Sequence, residues 1–149
     1  MLLDEQVDHG GIIAQKKVEI AEWPVGFKKS QEILANEGAK MLASALPDWI
    51  NGKIKVKEQN HNKATFTKKV EKADGLVDLT SDSYKNYLKI LAYEDWPGTY
   101  FEIEKKGQKI KVLIKKAKYT DGKLEILEVV PEGKKKMDYA SFLRGLKLN

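Results

Sequence analysis

The 149 residues hold no cysteine, 33% charged against 42% apolar side chains, and a formal net charge of +5. This excludes disulfides, thiolate chemistry and cysteine metal sites, and it fits a reducing compartment. No apolar run approaches the roughly 18 residues of a membrane span, and the acidic amino terminus is no signal peptide, so a soluble, cytoplasmic protein without membrane partners is expected.

The length suits one ordinary domain or two small pieces, and a front piece of about 58 residues is marginal unless it packs on something else. Residues 1–58 hold 8 lysines against 9 acids, whereas residues 59–149 hold 19 basic groups against 13 acids. The back half therefore carries the whole surplus, an electrostatic footprint suited to a polyanion. Arg144 is the one arginine, so a general lysine bias interleaved with glutamate would give the same figure.

From the amino terminus, Leu2-Leu3 runs straight into Asp4-Glu5 and a turn, as if already inside a structure. Ile12–Ile20 places Ile12, Ala14, Val18 and Ile20 at even positions and predicts a strand. A lone strand leaves its backbone groups unpaired, so the front piece reads as the tail of a larger sheet domain. After the Trp23-Pro24 loop, a helix begins at Lys29-Ser30 with Ser30 as cap and Ile33, Leu34, Glu37, Met41, Leu42, Ala45 and Leu46 repeating at steps of three and four. Pro47 interrupts it or starts a second short helix, and Asn51-Gly52 ends it. Gln59–Asp78 shows no apolar periodicity and reads as a charged hinge, its first half a short extended segment. Beyond it, Thr80 or Ser81 caps a helix striped by Tyr84, Tyr87, Leu88 and Leu91, which stops before Trp96-Pro97-Gly98. Thr99–Glu104, Lys109–Tyr119 and Lys123–Val130, joined by turns at Lys105-Lys106-Gly107 and Asp121-Gly122, form a three-stranded antiparallel meander. Pro131–Lys136 is a basic loop. Asp138 caps a terminal helix with Tyr139, Phe142 and Leu143 inward and Gly145 at its end.

Chemistry-bearing patterns are sparse. Asp8-His9-Gly10 is either half of an acid/base arrangement or an ordinary turn, and neighbouring residues on a strand point apart, which favours the turn. His61 sits between two asparagines in the hinge, and two histidines without cysteine make a weak metal case. Glycine-rich phosphate loops, nucleophile elbows and HExxH are absent from the sequence. Lys134, Lys135 and Lys136, and separately Lys115, Lys116 and Lys118, are either phosphate contacts or a solvated face. Trp96 reads as a core plug rather than a stacking platform.

The succession LLDEQVDHGGIIAQ, LPDWINGKIKVKEQNHNKATFTKK, EKADGLVD, AYEDWPGTYFEI and LEILEVVPEGKKKMDYASFLRG resembles, in order and over essentially the whole chain, the carboxy-terminal half of methionyl-tRNA formyltransferases. The resemblance implies formyl transfer from 10-formyltetrahydrofolate to methionyl initiator tRNA. It places the family's catalytic aspartate on Asp8, with Gly10 its partner glycine in the substrate site, and the family's asparagine and histidine on an upstream N-x-H-x-S-L-L-P motif that this chain lacks. It assigns Lys63, Lys68 and Lys69, supported by Lys134, Lys135 and Lys136, to the tRNA. It also implies an α+β fold: a strand and helices ending a Rossmann-like formyltransferase domain (1–58), a basic linker (59–78), and a small open antiparallel β-barrel with flanking helices (79–149).

Three departures stand out. Leu79 replaces a usual tryptophan, Leu91 an arginine that is often present, and Lys118–Gly122 a longer segment of about two further strands. By itself the chain is expected to be inactive, with a missing amino-terminal catalytic half as a partner. A stand-alone RNA-binding module, a sugar-nucleotide formyltransferase relative and a formyltetrahydrofolate hydrolase relative are the other readings.

Overall fold

The computed structural model describes residues 1–105 and 107–147. The fold is α+β, with three α-helices and one four-stranded antiparallel sheet among the described residues. The chain divides into two compact units, one of residues Met1–Trp23 and Lys29–Lys68, the other of Pro24–Lys28 and the chain from Lys69 on.

The meander forms as its pattern predicts. β1 (Thr99–Lys105), β2 (Gln108–Thr120) and β3 (Lys123–Pro131) pair antiparallel in sequence order. Asp121 and Gly122 both take positive φ (52° and 76°), the backbone of a two-residue turn whose twist matches the strands it joins. Of the turn expected at Lys105-Lys106-Gly107, Lys106 lies outside the described residues. A two-residue strand, β4 (Met137–Asp138), adds to the far side of β3. Asp138, expected as a helix cap, therefore pairs with Glu128 as a strand residue.

The alternation within β2 and β3 is broken once. Ile114 faces Val129 and Lys116 faces Glu128, but Ala117 faces Ile126, so Lys115 is extra on one strand and Leu127 on the other. The inward residues change parity at that point, from Val112 and Ile114 to Ala117 and Tyr119 on β2, and from Ile126 to Val129 on β3. Lys115 and Lys116 consequently both reach solvent.

Val112 and Val129 are fully buried, with Phe101, Ile114, Ile126, Ile90, Val77 and Phe142 around them. α2 (Ser83–Ala92) and α3 (Tyr139–Lys147) pack on this sheet. The cap of α2 is Asp82, whose carboxylate accepts from the amides of Tyr84 and Lys85 (2.9 and 3.0 Å), in place of Thr80 or Ser81. Its most buried face is Asn86 and Ile90. The expected tyrosines lie beside that face, where Tyr84 and Tyr87 pack their rings on Tyr119. Buried Asn86 is satisfied by donating to the Asp78 carbonyl (2.7 Å). α3 runs past Gly145 and buries Phe142, but Leu143 is exposed. Trp96 is 52% exposed and plugs nothing; the aromatic places in this core are taken by Phe101 and Phe142.

The helix α1 (Phe27–Ile50), which belongs to the first unit from Lys29 on and to the second at Phe27 and Lys28, is one continuous element running through Pro47. Proline removes only the bond to Ala43, and the Asn51 amide still bonds the Pro47 carbonyl (3.1 Å). It starts ahead of Ser30, with the Lys28 amide donating to the Glu94 carboxylate (2.7 Å). Its end falls where Asn51-Gly52 predicts, by bonds from the Gly52 amide to Trp49 and the Lys53 amide to Asp48. The strand expected over Ile12–Ile20 does not form. Only Ile12 pairs, in a single antiparallel bridge with Lys57, because no further chain lies alongside to accept a ladder. The period of two survives in exposure alone, with Val18 and Ile20 half-buried and Lys17 and Glu19 exposed.

Lys16 and Lys40 both donate to Glu37, and these hydrogen bonds, reinforced by the two charges, hold the Glu37 carboxyl down at about 2. A lowered carboxyl keeps its contact above the ordinary range and loses it as pH falls through the lowered value. A side-chain NMR titration is expected to find the Glu37 midpoint near 2, and Lys16→Ala to move it back toward the ordinary carboxylate value. In the sheet unit, Val129→Ala is expected to cost about 2 kcal/mol, read as a lower denaturant midpoint with an unchanged slope.

Candidate functional site

The residues that carry chemistry in the first unit converge on the loop before Ile12. Val7 and Asp8 form a turn in which Asp8 takes φ 54°, a left-handed conformation that a short polar side chain tolerates better than most. Gly10 is buried, and a Cβ there would lie 2.1 Å from the Leu2 carbonyl oxygen, so no side chain fits at this position. The turn expected at Asp8-His9-Gly10 is present, at Val7 and Asp8.

The hinge meets this turn through Gln59. Its side-chain amide donates to the carbonyls of Asp8 (2.9 Å) and Gly10 (2.8 Å), beside the Ile12–Lys57 bridge. Asn60 then caps a 3₁₀ turn, His61–Lys63, by accepting from the Asn62 amide. This brings His61 flat against His9, with ring centroids 3.6 Å apart and planes 12° from parallel. On the other side, His9 Nδ1 lies 2.6 Å from an Asp4 carboxylate oxygen. That hydrogen bond, with the Gln6 amide, lowers the Asp4 carboxyl below its usual range.

The turn and the hinge enclose an open cleft of about 1010 Å³, lined by Asp8, His9, Asn60, His61, Lys63 and Phe66 among others. Of the residues selected from sequence, Asp8 and Lys63 are thus brought to one cleft, with Gly10 supporting its floor through the Gln59 bond. Lys68 is exposed in the same unit. The remaining candidates belong to the sheet unit. Lys69 and Lys135 are exposed there, and Lys134 lines an apolar hollow of about 370 Å³ with Ile103, Ile110, Met137 and Phe142. Lys136 pairs with Glu128 at 2.9 Å, which lowers that carboxyl. Lys118 likewise pairs with Glu125 at 2.9 Å, while Lys115 and Lys116 stand side by side at the bulge. Asp4, Gln59 and the His9–His61 stack were not singled out from sequence. Their pairing spans about fifty residues, and the one local signal for it is a carboxylate five residues ahead of His9. No group of three or more metal-ligating side chains occurs among the described residues, and no helix among them is long and apolar enough to cross a membrane.

No protein-family model matches the chain. The methionyl-tRNA formyltransferase of Carboxydothermus hydrogenoformans is 31% identical over 167 aligned positions, covering 97% of this chain and 53% of the relative. That of Campylobacter jejuni subsp. doylei is 30% identical, covering 99% and 53%, and that of Chloroflexus aurantiacus 27% identical, covering 98% and 54%. The chain is related over its whole length to methionyl-tRNA formyltransferases and corresponds to their carboxy-terminal part. It spans about half the length of the curated relatives it matches. The Chloroflexus alignment runs over 169 positions against a chain of 149 residues, so at least 20 positions of that relative have no counterpart here.

Gln59 is the joint of the site. Gln59→Glu puts a carboxylate with no N–H against two carbonyls, and amide hydrogen exchange is expected to speed up at least tenfold over residues 57–63 while the sheet unit stays protected. Unchanged exchange there would show that the bond does not hold the hinge.

Proposed function

We propose that this chain is the carboxy-terminal part of a methionyl-tRNA formyltransferase, ending the catalytic domain at 1–58, linking through 59–78 and closing with a small β-barrel-like domain at 79–149. In this reading the chain supplies the tRNA-contacting surface and one catalytic acid for moving a formyl group from 10-formyltetrahydrofolate to the amino group of methionyl initiator tRNA in translation initiation. Asp8 is the acid. Exposed on the cleft rim, its carboxylate takes up the proton that the amine loses as nitrogen attacks the formyl carbon, and that proton passes to the departing folate nitrogen as its bond to the formyl carbon breaks. Gly10 lets the turn close beneath it. Lys63, Lys68 and Lys69 neutralise phosphates, with Lys134 and Lys135 as further contacts and Lys136 weakened in that role by Glu128.

The observation that carries this reading is the meeting of Asp8 and Lys63 on one cleft in a chain related throughout to these transferases. A nucleophile's acid and a phosphate-binding lysine belong together if the acceptor end of a tRNA enters there. The folate co-substrate does not fit the residues present. None of the cleft's lining side chains is buried, so its heteroaromatic ring finds no enclosed polar partners, and an upstream part must hold it. The same exposed lining favours a second reading, an RNA-binding module with no folate affinity.

Binding of uncharged and methionyl initiator tRNA across a salt series tests the proposal. Affinity is expected to fall linearly on a log–log plot. The Lys63→Ala/Lys68→Ala/Lys69→Ala variant is expected to weaken binding and flatten the slope by roughly 2 to 3. Absence of binding at low salt would remove tRNA recognition from this chain. Binding that requires the methionyl group would favour the transferase over the RNA-binding module.

A further inference from the structure

The core of the sheet unit leaves one concave place unfilled. Ile103 of β1 and Ile110 of β2 face each other across the first hairpin, and with Met137, Phe142 and Leu146 they wall a hollow of about 370 Å³. Phe142 is buried, but the other four are only half-buried, although Ile103, Met137 and Leu146 pack against the core cluster. Apolar surface gathered into a cavity of this size is the make-up of a small-molecule pocket. The hollow lies at the opposite end of β2 from Lys118–Gly122, about 25 Å along the strand, so the shortened tip does not account for it.

The polar groups of the lining set its chemistry. Lys105 and Lys134 both border the hollow, and neither forms an ion pair among the described residues. Lys134 stands on a closed turn, its amide donating to the Pro131 carbonyl (3.0 Å) with Gly133 at φ 70°. Glu132, the one acid of the lining, is tied to β2: its amide donates to the Lys111 carbonyl (2.9 Å) and its carboxylate accepts from the Lys111 amide (3.4 Å). Ser141 Oγ accepts from Arg144 (2.8 Å), and its own hydrogen has no acceptor among the described residues. Two ammonium groups against one carboxylate leave a single positive charge beside an apolar cavity. One negative charge balances it, whereas a phosphate dianion would leave an excess facing Glu132. We propose that this hollow binds a small molecule with an apolar body and one carboxylate, of the medium-chain fatty acid class. The body displaces water from between Ile103, Ile110 and Met137, and the carboxylate accepts charge-assisted hydrogen bonds from Lys105 and Lys134 and a further one from Ser141. The inference does not depend on the tRNA reading, with which it shares only Lys134.

The test titrates octanoate, octanol and octylamine into the full chain and follows amide chemical shifts by heteronuclear NMR, with calorimetry for affinity. Octanoate is expected to bind saturably and one-to-one, moving the amides of Ile103, Ile110, Met137 and Leu146. Octanol, with the same body and no charge, is expected to bind about tenfold more weakly or less, and octylamine not at all. Lys105→Gln/Lys134→Gln is expected to bring octanoate down to the affinity of octanol while octanol itself binds as before, a split that a merely structural role would not produce. If the spectrum of the double variant shows a disturbed sheet, Lys134→Gln alone carries the same test. The Lys63→Ala/Lys68→Ala/Lys69→Ala variant is expected to keep full octanoate binding, so loss of tRNA affinity and loss of this site are read separately. The proposal is overturned if octanoate gives no saturable shifts at these residues, if octanol or octylamine binds as tightly, or if the lysine variant holds octanoate as well as the wild-type chain does.

Discussion

The dry contact between β2 and β3, centred on Val112 and Val129, is the constraint from which the sheet unit of this protein follows. Two strands can exclude water on one face only if something covers that face, and here Ile90 of α2 and Phe142 of α3 do so, with the Phe101 ring of β1 meeting that of Phe142 edge-on. The polar groups drawn in with them are answered locally: Asn86 bonds the Asp78 carbonyl, and Lys89 reaches the Leu76 carbonyl at 2.6 Å. No buried side-chain nitrogen or oxygen among the described residues lacks a partner. Burial here is coupled to hydrogen bonding throughout, as a stable small core requires.

The first unit is held by a different kind of force. Its joints are polar and largely solvent-exposed: Gln59 to two carbonyls, Glu37 between two lysines, Asp4 against His9, and one two-bond bridge at Ile12. Such contacts fix geometry more than they supply stability. They can place Asp8 and Lys63 on a common cleft, but they cannot replace an apolar interior.

How much of this was legible in the sequence follows the range of the interactions. The meander could be read because lysines alternating with Ile110, Val112 and Ile114, and the Asp121-Gly122 pair, are local signals. The end of α1 could be read for the same reason. Pro47 misled because proline forbids one bond and not a helix. Ile12–Ile20 misled because periodicity records which side chains are apolar and not whether a neighbouring strand exists. β4 was too short to carry a pattern. The site was legible only in part: Asp8, Gly10 and Lys63 were named through a resemblance, whereas the Gln59 tie and the stacking of His9 on His61 depend on residues about fifty positions apart. Trp96 reads as core by type, yet size alone does not bury a ring when Phe101 and Phe142 already fill the space.

The bulges at Lys115 and Leu127 come as an opposed pair, so the two strands leave the irregular step with the same register in which they entered it. Residue number in β2 is thereby tied to residue number in β3. Deleting Lys115 alone would return β2 to plain alternation with Ala117 and Tyr119 still inward and leave the Leu127 bulge of β3 unopposed, whereas losing Leu127 as well would return both strands to plain alternation. Length in this hairpin can change without shifting the pairing only by matched steps on both arms, because the two-residue Asp121-Gly122 turn sets the register at the tip.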